Sequence, residues 1–500
     1  MHTQQTPHQS PLLLLVLGVV PIGPRTATFW SIVLPGTLTV ISDGMHYGWS
    51  SPIVPMLKSS ESSITIKDSD VVWLENCLMF GGVAGLFLTM YLLDKVGRKW
   101  TMLIAAVENM VAWILIATAT SLNVYLVARF IAGIAADVNF VAAPVYIAEI
   151  ADKKVRGRLS SLINIFSLLG VVLIYSVGPS LTIALSSTIG IGFIIVEFLT
   201  FSSMPESPYY LLVRKKGEAA RKSLQTFRNV DVSDEFKELA EIVERENAAR
   251  GRPLDLITVK SYRKSILIVT VLNFAQHFTG LSVMIMNLHI ILEESGSSAK
   301  ANSTAIQFAL LMVVACIISM FLVDSVGRRV LLCTSSFLTA VSLFVISTYF
   351  AVKHAGVDTS DYTWIPITSI MLYAIVHKIG LSFVPIIITS ELFPTNIKAV
   401  AVTIGDALYV TASAISIFVF HYLYRNFGMH VPFFLFSVCA ILIGIFAIFI
   451  LPETKGRSLD EIQQILKGEY GLNSETAKIL PPDGGLDNNY GATSSIQTDL

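Results

Sequence analysis

The chain has 500 residues, of which 53% are hydrophobic and only 14% are charged, and its net charge is -1. A typical soluble protein is roughly 25% charged, and a soluble core could not bury this much apolar surface, so the composition indicates a polytopic membrane protein. No basic tract suggests nucleic-acid binding. No C-x-x-C or H-E-x-x-H motif and no nucleophile–base constellation occurs, so nothing in the sequence indicates an enzyme, a metal or another cofactor.

About twelve apolar runs follow one another along the chain, each long enough to cross a bilayer as a helix. They cover residues 28–49, 70–93, 100–120, 122–147, 159–178, 181–203, 265–292, 303–323, 330–352, 363–390, 399–424 and 431–451. The polar stretch 205–264 separates six runs from the other six. We therefore predict an all-α membrane fold of twelve transmembrane helices in two six-helix bundles, 28–204 and 265–451, joined by a cytosolic helical linker, with tails at 1–27 and 452–500.

Two polar segments have apolar residues at helical spacing. Val232 to Arg252, within the linker, is rich in Glu, Lys, Arg and Ala and predicts one or two surface helices. Leu459 to Leu466, just after the last apolar run, predicts a short amphipathic helix.

The distribution of Lys and Arg predicts the orientation in the membrane. With both termini inside, the cytosolic segments hold most of the 35 Lys and Arg residues, and the outer loops hold only Lys58, Lys67, Lys300, Lys353 and Arg425. This asymmetry is typical of the positive-inside rule. The single N-x-S/T sequon begins at Asn302 and then lies outside, which makes Asn302 a candidate for glycosylation close to the membrane.

A charged hexapeptide occurs once in each half of the chain. Asp94-Lys95-Val96-Gly97-Arg98-Lys99 is repeated as Asp324-Ser325-Val326-Gly327-Arg328-Arg329, and each copy joins two apolar runs by a turn that requires Gly. The repeat extends further. Arg156 follows Glu149 by seven positions, and Lys398 follows Glu391 by the same number. Two copies at matching places indicate a duplicated helical bundle.

In the predicted topology all of these charges lie at the cytosolic mouth. A transporter that opens alternately on either side can use ion pairs between its halves to close one mouth, and such pairs can break in the other state. An exposed pair contributes only about 0–1 kcal/mol, so both states stay reachable. The alternative interpretation is that the charges only anchor helix ends. The candidate gate residues are Asp94, Arg98, Lys99, Glu149, Arg156, Asp324, Arg328, Arg329, Glu391 and Lys398.

The motif set resembles the signature of the sugar-porter family within the major facilitator superfamily. It comprises the two hexapeptides, Arg129, Pro144 to Glu149, Arg156-Gly157, Pro205 to Pro208, Glu391 to Pro394 and Pro452 to Gly456. Tyr47 to Pro52 and Glu391 to Lys398 are similar to the insect facilitated trehalose transporters in particular. The resemblance covers roughly residues 30–460. It implies two six-helix bundles, a cytosolic helical linker and transport of a sugar by rocking of the bundles.

The resemblance also implies a sugar site at mid-depth between the halves. The family motif Gln-Gln-x-Ser-Gly-Ile-Asn, followed by two aromatic residues, reads here Gln276 to Ser282, followed by Met286-Asn287. Amide and hydroxyl groups on this helix both donate and accept hydrogen bonds, as sugar hydroxyls require; the alternative is that they join neighbouring helices. Aromatic residues of the family are missing, as at Ile386. The candidate substrate-binding residues are Asn164, Gln276, His277, Gly280, Ser282, Asn287 and Tyr409.

Several ionisable residues fall inside predicted spans, where a charge is costly and should have a partner or face water. His377, Lys378 and Asp406 are candidates for proton coupling or for binding an anionic substrate, and we expect Lys378 to pair with Asp406. Asp43, Glu108 and Asp137 also fall inside spans, and some of these residues can instead reach water near span ends. The Asp that proton-coupled family members place after Gly-Tyr in the first helix would fall at Ser50, which argues against their particular mechanism.

The sequence therefore predicts a plasma-membrane carrier that is facilitative for trehalose or a hexose. Its partners are the small-molecule sugar and the lipid bilayer, with no obligate protein partner indicated. One alternative is a carrier of another small solute, driven by protons through Asp406, Lys378 or His377. Another is a non-transporting sensor on the same fold, which the short C-terminal tail argues against.

Overall fold

The chain folds as a helical membrane protein, represented by a computed structural model. The structure describes residues 35–467 apart from 61, 63, 152–155, 229–231, 249–254, 298–299 and 458. The predicted N-terminal tail, the beginning of the first predicted span and most of the C-terminal tail lie outside these residues. No strand occurs among the residues described, which agrees with the predicted all-α class.

Each half of the chain forms its own set of long helices. The N-terminal half contains α1 (Leu38–Gly48), α2 (Ser50–Lys58), α3 (Asp68–Lys95), α4 (Arg98–Ala117), α5 (Leu122–Ile150), α6 (Arg156–Val177) and α7 (Ile183–Phe201). The linker contains α8 (Pro208–Val213), α9 (Gly217–Arg228), α10 (Ser233–Ala248) and α11 (Asp255–Thr258). The C-terminal half contains α12 (Lys260–Phe278), α13 (Leu281–Met286), α14 (Leu288–Glu294), α15 (Ala301–Val326), α16 (Arg328–His354), α17 (Trp364–Ile379), α18 (Val384–Glu391), α19 (Thr395–Phe427) and α20 (His430–Phe449), and α21 (Leu459–Lys467) follows it.

These helices make twelve membrane spans. Ten helical stretches of the described chain are long and apolar enough to cross a bilayer. The shorter apolar helix α6 and the pair α1–α2 complete the set. Large apolar side chains such as Phe87, Leu199 and Phe449 are exposed on the outside of the bundle, where lipid would cover them. We call the end of the molecule that carries α8–α11 the linker side, and the opposite end the far side.

The first span ends further along the chain than predicted. The sequence predicted it at 28–49, but the helical backbone continues past Trp49 to Lys58 as α2, which contains Pro55. The polar and Pro-containing segment after Trp49 resembles a loop in sequence. Within a helical bundle, however, neighbouring helices can satisfy the backbone groups that a proline leaves free.

Two further spans are interrupted. The seventh consists of α12, α13 and α14, and its first break is at Gly280, which has a left-handed φ of +91° that favours glycine. The tenth consists of α17 and α18, separated by residues 380–383. Broken spans place helix ends and backbone polar groups at mid-depth, where membrane transporters build their binding sites.

The described part of the linker contains four helices, and the sequence predicted only those within Val232 to Arg252. The predicted segment forms α10, whereas α8, α9 and α11 were not predicted. The linker packs on the N-terminal half, since Phe227 stacks edge-on against Tyr146 and Arg228 Nη1 donates to the Ile150 carbonyl at 2.8 Å. The predicted amphipathic helix after the last span is confirmed as α21.

Small residues bring spans of the same half into close contact. Gly133 of α5 packs directly on α3, and a Cβ atom at this position would overlap the Leu78 carbonyl oxygen. Gly44 of α1 and Gly170 of α6 make a similar crossing. Membrane helices lack a hydrophobic driving force for association and depend on such close packing.

We expect Gly133→Ala to destabilise the protein, because the added methyl group must push α3 and α5 apart. Overpacking of this kind costs about 1–3 kcal/mol, which should lower the apparent Tm in detergent by about 2 °C or more. Gly192→Ala on α7 is the matched control, since a Cβ atom there meets nothing within 4 Å. Equal melting temperatures for the two variants would contradict this account of the crossing.

Candidate functional site

The hexapeptide turn of the N-terminal half ends in a capped helix. Gly97 precedes α4 with a φ of +105°, and a Cβ atom on it would lie 2.5 Å from Glu206 Oε2. The Glu206 carboxylate accepts hydrogen bonds from the backbone N–H groups of Arg98 (3.0 Å) and Lys99 (3.1 Å). A carboxylate at a helix N-terminus satisfies free N–H groups and interacts favourably with the helix dipole. The glycine and the Pro-Glu-Ser motif therefore form one local structure.

The C-terminal half repeats this arrangement. Gly327 precedes α16 with a φ of +100°, and Glu453 accepts from the backbone N–H groups of Arg328 and Arg329, both at 3.0 Å. Burial alone would raise the pKa of Glu453, but the backbone N–H donors of Lys455, Arg329 and Arg328 outweigh it and hold the pKa below its ordinary value. The duplicated motifs thus correspond to a duplicated three-dimensional structure.

Each half also contains a largely buried ion pair on the linker side. Arg98 Nε donates to both oxygens of Glu149 at 3.0 and 2.9 Å, and its Nη2 donates to Oε1 at 2.8 Å. Arg328 Nη2 lies 2.9 Å from Glu391 Oε1. The glutamate of each pair also accepts a hydrogen bond from a neighbouring hydroxyl group. Ser207, next to Glu206, donates to Glu149, and Thr454, next to Glu453, donates to Glu391.

These pairs lie within a half, whereas the predicted gate pairs would join the two halves. Arg98 and Glu149 belong to α4 and α5, and Arg328 and Glu391 belong to α16 and α18. The sequence spacing identified the acids and bases but not which helices they would join. In this arrangement the pairs hold spans of one bundle together at the linker side, and their part in gating remains a prediction.

The other candidate gate residues have more varied surroundings. Asp324 is mostly exposed and pairs with Arg328 at 3.1 Å, while Asp94 is exposed. Lys99 Nζ donates to the Ser202 carbonyl at 2.6 Å, and Arg329 Nη2 donates to that of Ile448. Lys398 is half-buried on α19, and the side chain of Arg156 lies outside the described residues.

At mid-depth, Ser282 connects groups from both halves. The Ser282 hydroxyl lies 2.8 Å from Tyr47 OH of α1, 2.7 Å from His277 Nδ1 and 2.6 Å from Ser413 Oγ of α19. The His277 ring packs edge-on against Tyr409 with centroids 4.2 Å apart. Its Nε2 is buried and has no hydrogen-bond partner among the residues that the structure describes. We call these five residues, Tyr47, His277, Ser282, Tyr409 and Ser413, the central cluster.

Gln276 and Gly280 adjoin the central cluster. Gln276 is buried, and its Nε2 lies 3.4 Å from Asn273 Oδ1, which is a weak contact for a buried amide. Asn273 in turn donates to the Gly405 carbonyl at 2.9 Å. Gly280 begins α13, so its backbone break positions Ser282. Three of the predicted substrate residues, His277, Ser282 and Tyr409, therefore come together, with Gln276 and Gly280 beside them.

If Gln276 contacts the substrate, Gln276→Ala should raise the apparent Km for uptake about three- to tenfold and leave the maximal rate nearly unchanged. The expected size follows from the net contribution of about 0.5–1.5 kcal/mol for a hydrogen bond between uncharged groups. Gln307→Ala is the matched control, because Gln307 is exposed on α15. An unchanged Km would remove Gln276 from the substrate site.

The remaining substrate candidates lie elsewhere. Asn164 is half-buried on α6, and Asn287 is buried at the contact between α3 and the seventh span. Asn302, the candidate glycosylation residue, is exposed in the first turn of α15 on the far side. Its modification stays a prediction.

The candidate coupling residues do not form the expected ion pair. Lys378 Nζ donates to Ser382 Oγ at 3.1 Å, whereas Asp406 lies near Asp137 of the other half. His377 Nε2 lies 3.0 Å from Thr279 Oγ1. The prediction of a Lys378–Asp406 pair is wrong in this arrangement, because the break after α17 lets Ser382 fold back towards Lys378.

Sequence reasoning missed a second contact between the halves. Glu75 of α3 is fully buried, and its Oε2 accepts from Asn287 Nδ2 at 3.1 Å and lies 3.0 Å from His421 Nε2 of α19. Ser51 of α2 also bonds His289 of α14, with Oγ and Nδ1 2.7 Å apart. Glu75 could have been singled out as an acid within an apolar run, which is the feature that singled out Asp43. These contacts lie between the central cluster and the far-side end of the molecule, so the halves are joined on the far side.

Asp43 is satisfied within its own half. Its two carboxylate oxygens accept from Asn109 Nδ2 at 2.5 Å and Asn139 Nδ2 at 2.9 Å. This arrangement favours a structural role for Asp43, which is buried rather than in contact with water near a span end.

Comparisons with known proteins agree with this architecture. The family model described as "Sugar (and other) transporter" matches residues 36–466. A facilitated trehalose transporter of Aedes aegypti is 29% identical over 466 residues, which cover 90% of this chain and 57% of that protein. One of Apis mellifera ligustica is 28% identical over 469 residues, which cover 91% of this chain and 92% of the relative.

Solved structures show the same fold. The proton:xylose symporter XylE bound to 6-bromo-6-deoxy-D-glucose superposes with a TM-score of 0.72 at 21% identity, covering 88% of this chain and all of that one. The predicted twelve-helix architecture is thereby confirmed.

Proposed function

The chain belongs to the sugar transporter family, and we propose that it carries a neutral sugar, trehalose or a hexose, through the plasma membrane by facilitated diffusion. The halves would open alternately on the two sides of the central cluster, with the linker side and both termini in the cytosol. The observation that carries the proposal is the Ser282 hydroxyl, which is shared between groups of the two halves at mid-depth.

The chemistry of the central cluster suits a sugar. Hydroxyl, imidazole and phenol groups each donate and accept hydrogen bonds, so they can exchange their mutual bonds for bonds to sugar hydroxyls. The buried His277 Nε2, which has no partner within the described part of the chain, offers one more position for such a bond. The Tyr409 ring supplies one apolar face, and Gly280 lets a sugar ring approach the backbone.

The contacts between the halves on the far side support alternate opening. On the far side, the halves meet through short polar contacts such as those of Ser51 with His289 and of Glu75 with Asn287. Breaking such contacts exposes each partner to water, where it is solvated again, so both states can lie close in energy. The curated relatives' names favour trehalose as the sugar to be tested first.

A second candidate is a carrier of an anionic solute. Lys378 is only 7% exposed, and no carboxylate lies within ion-pair distance of it in the described part of the chain. A buried cation without a counterion is costly and favours an anionic ligand.

The test is uptake of labelled trehalose and glucose by vesicles that contain the purified protein, with and without an inward proton gradient. Saturable uptake that is independent of the gradient would support the proposal, with protein-free vesicles as the control. Uptake that requires the gradient would contradict the facilitative mechanism. No uptake of either sugar, together with uptake of organic anions, would favour the second candidate.

A further inference from the structure

A basic pocket lies on the linker side, where α21 packs on the beginning of α12. Its volume is about 340 Å³. Four cations and two leucines line it, namely Lys260, Arg263, Lys264, Leu267, Leu466 and Lys467. Three of the cations belong to α12, and Lys467 is the last residue of α21. All four cations are exposed, and we call Lys260, Arg263, Lys264 and Lys467 the basic cluster.

The apolar face of α21 holds this helix against the bundle. Ile462 and Leu466 are buried, and Gln463 Nε2 donates to the Leu392 carbonyl, just after α18, at 2.6 Å. The packing of α21 therefore places Lys467 beside the cations of α12, although like charges repel one another. An anion bound in the pocket would remove this repulsion.

The basic cluster has no counterion in the described part of the chain, where its side chains neither form an ion pair nor donate a hydrogen bond. Other cations on the linker side are engaged. Arg98 pairs with Glu149, and Lys99 and Arg329 donate to backbone carbonyls. The positive-inside rule explains cations at span ends, but it does not require four of them to line one pocket. The cluster therefore favours an anionic ligand with several acceptor oxygens.

The outer face of α12 becomes apolar beyond the basic cluster. Leu267 is 57% exposed, and Val271, Phe274 and Phe278 follow it at helical spacing and are half-buried. Gln276 and the other buried residues of α12 lie on the opposite face. A phospholipid has the same polarity, because its headgroup lies at the membrane surface and its acyl chains extend towards the middle of the bilayer. This face therefore favours a lipid over a soluble anion.

We propose that the basic cluster binds the phosphorylated headgroup of an anionic phospholipid in the leaflet on the linker side, and that this lipid bridges α12 and α21. Phosphate oxygens accept strong, charge-assisted hydrogen bonds from guanidinium and ammonium groups. A headgroup with several phosphates, such as that of phosphatidylinositol bisphosphate, balances more of the four positive charges than a single phosphate does. The site depends on the membrane fold but not on the substrate of the proposed function.

Native mass spectrometry of the purified full chain tests the proposal without any sugar. The fraction of protein that retains one lipid is measured as phosphatidylinositol bisphosphate is added to the detergent solution, which gives a dissociation constant. Phosphatidylcholine, whose headgroup is neutral overall, is the reference lipid. We expect the anionic lipid to bind about tenfold more tightly or better, because each basic residue near an anionic headgroup contributes about fivefold to the affinity.

The double variant Arg263→Gln and Lys264→Gln should bind the anionic lipid about tenfold more weakly, or worse. Lys467→Gln should weaken binding about fivefold, although Lys467 lies on another helix. The matched control is the double variant Lys216→Gln and Lys222→Gln, which removes the same charge from exposed positions of the linker and should bind normally. Because all of these side chains are exposed, the variants should keep the melting temperature of the native protein.

Inositol trisphosphate, the soluble headgroup of the same lipid, distinguishes a lipid site from a site for free phosphates. It lacks acyl chains, so we expect it to bind about tenfold more weakly than the lipid, or worse, since burial of each CH₂ group contributes about 0.8 kcal/mol, or about fourfold. Leu267→Asn should weaken binding of the lipid and leave binding of the soluble headgroup unchanged.

Three results would overturn the proposal. Equal affinity for the two lipids, or equal binding by the Arg263–Lys264 and Lys216–Lys222 double variants, would mean that the basic cluster is not the site. Unchanged binding by Lys467→Gln would remove the bridge between α12 and α21. Equal affinity for the lipid and for inositol trisphosphate would replace the lipid with a soluble phosphate. Sugar uptake by the native protein reports on the proposed function separately, so each can fail without the other.

Discussion

Arg98→Ala is expected to reduce the initial rate of sugar uptake at least tenfold and to lower the thermal stability of the protein. Arg98 and Glu149 are only 14% and 13% exposed, so the variant leaves Glu149 buried without its cation. Removing one partner of a buried pair costs about 3–5 kcal/mol. Because the pair joins α4 to α5, the loss should loosen the linker side of the N-terminal bundle, which must move as one body during transport. Uptake and melting temperature are measured on the same purified preparation.

The two copies of the structure should respond unequally. Arg328 makes one hydrogen bond to Glu391, which is 24% exposed, whereas Arg98 makes three to Glu149. We therefore expect Arg328→Ala to have the smaller effect on both uptake and stability. Lys95→Ala is the control, since Lys95 is an exposed base in the same hexapeptide and is not a candidate gate residue. Normal uptake by Arg98→Ala would refute a role for this pair in transport.

The sequence predicted most of the architecture because the membrane imposes simple rules on it. Apolar runs of about 20 residues predict spans, and two hexapeptides in matching places predict two bundles. Glycine in each hexapeptide also predicted the tight turns, which are confirmed at Gly97 and Gly327. The predicted end of the first span was too early, because Pro52 and Pro55 end helices in water but not within a bundle.

Pairing between helices was harder to predict, because it depends on how each helix is rotated. Spacing alone placed Arg98 and Glu149 at one mouth but could not show that both point into the same bundle. For the same reason Lys378 was assigned to Asp406, although it bonds Ser382 on its own span. Glu75 was overlooked within its apolar run, and only the packed structure shows that a histidine and an asparagine of the other half meet it.

Ser282→Ala should have the second large effect, a loss of uptake of about tenfold or more. The Ser282 hydroxyl contacts Tyr47, His277 and Ser413, and its removal leaves three buried polar groups short of a partner. Each such group costs about 1–3 kcal/mol, and about 1.4 kcal/mol already corresponds to a factor of ten. The contact to Tyr47 also joins the halves, so the variant changes both the substrate site and the balance between states.

Ser336→Ala separates this effect from the loss of any buried hydroxyl. Ser336 is equally buried on α16, but its hydroxyl donates only to the Leu332 carbonyl of its own helix, at 2.7 Å. We expect Ser336→Ala to transport normally, while Ser282→Thr, which keeps a hydroxyl, should recover part of the rate lost in Ser282→Ala. Equal uptake by the Ser282→Ala and Ser336→Ala variants would mean that the central cluster only packs the halves together. The substrate would then have to bind at another level of the bundle, such as the place where Asp137 and Asp406 of the two halves lie close together.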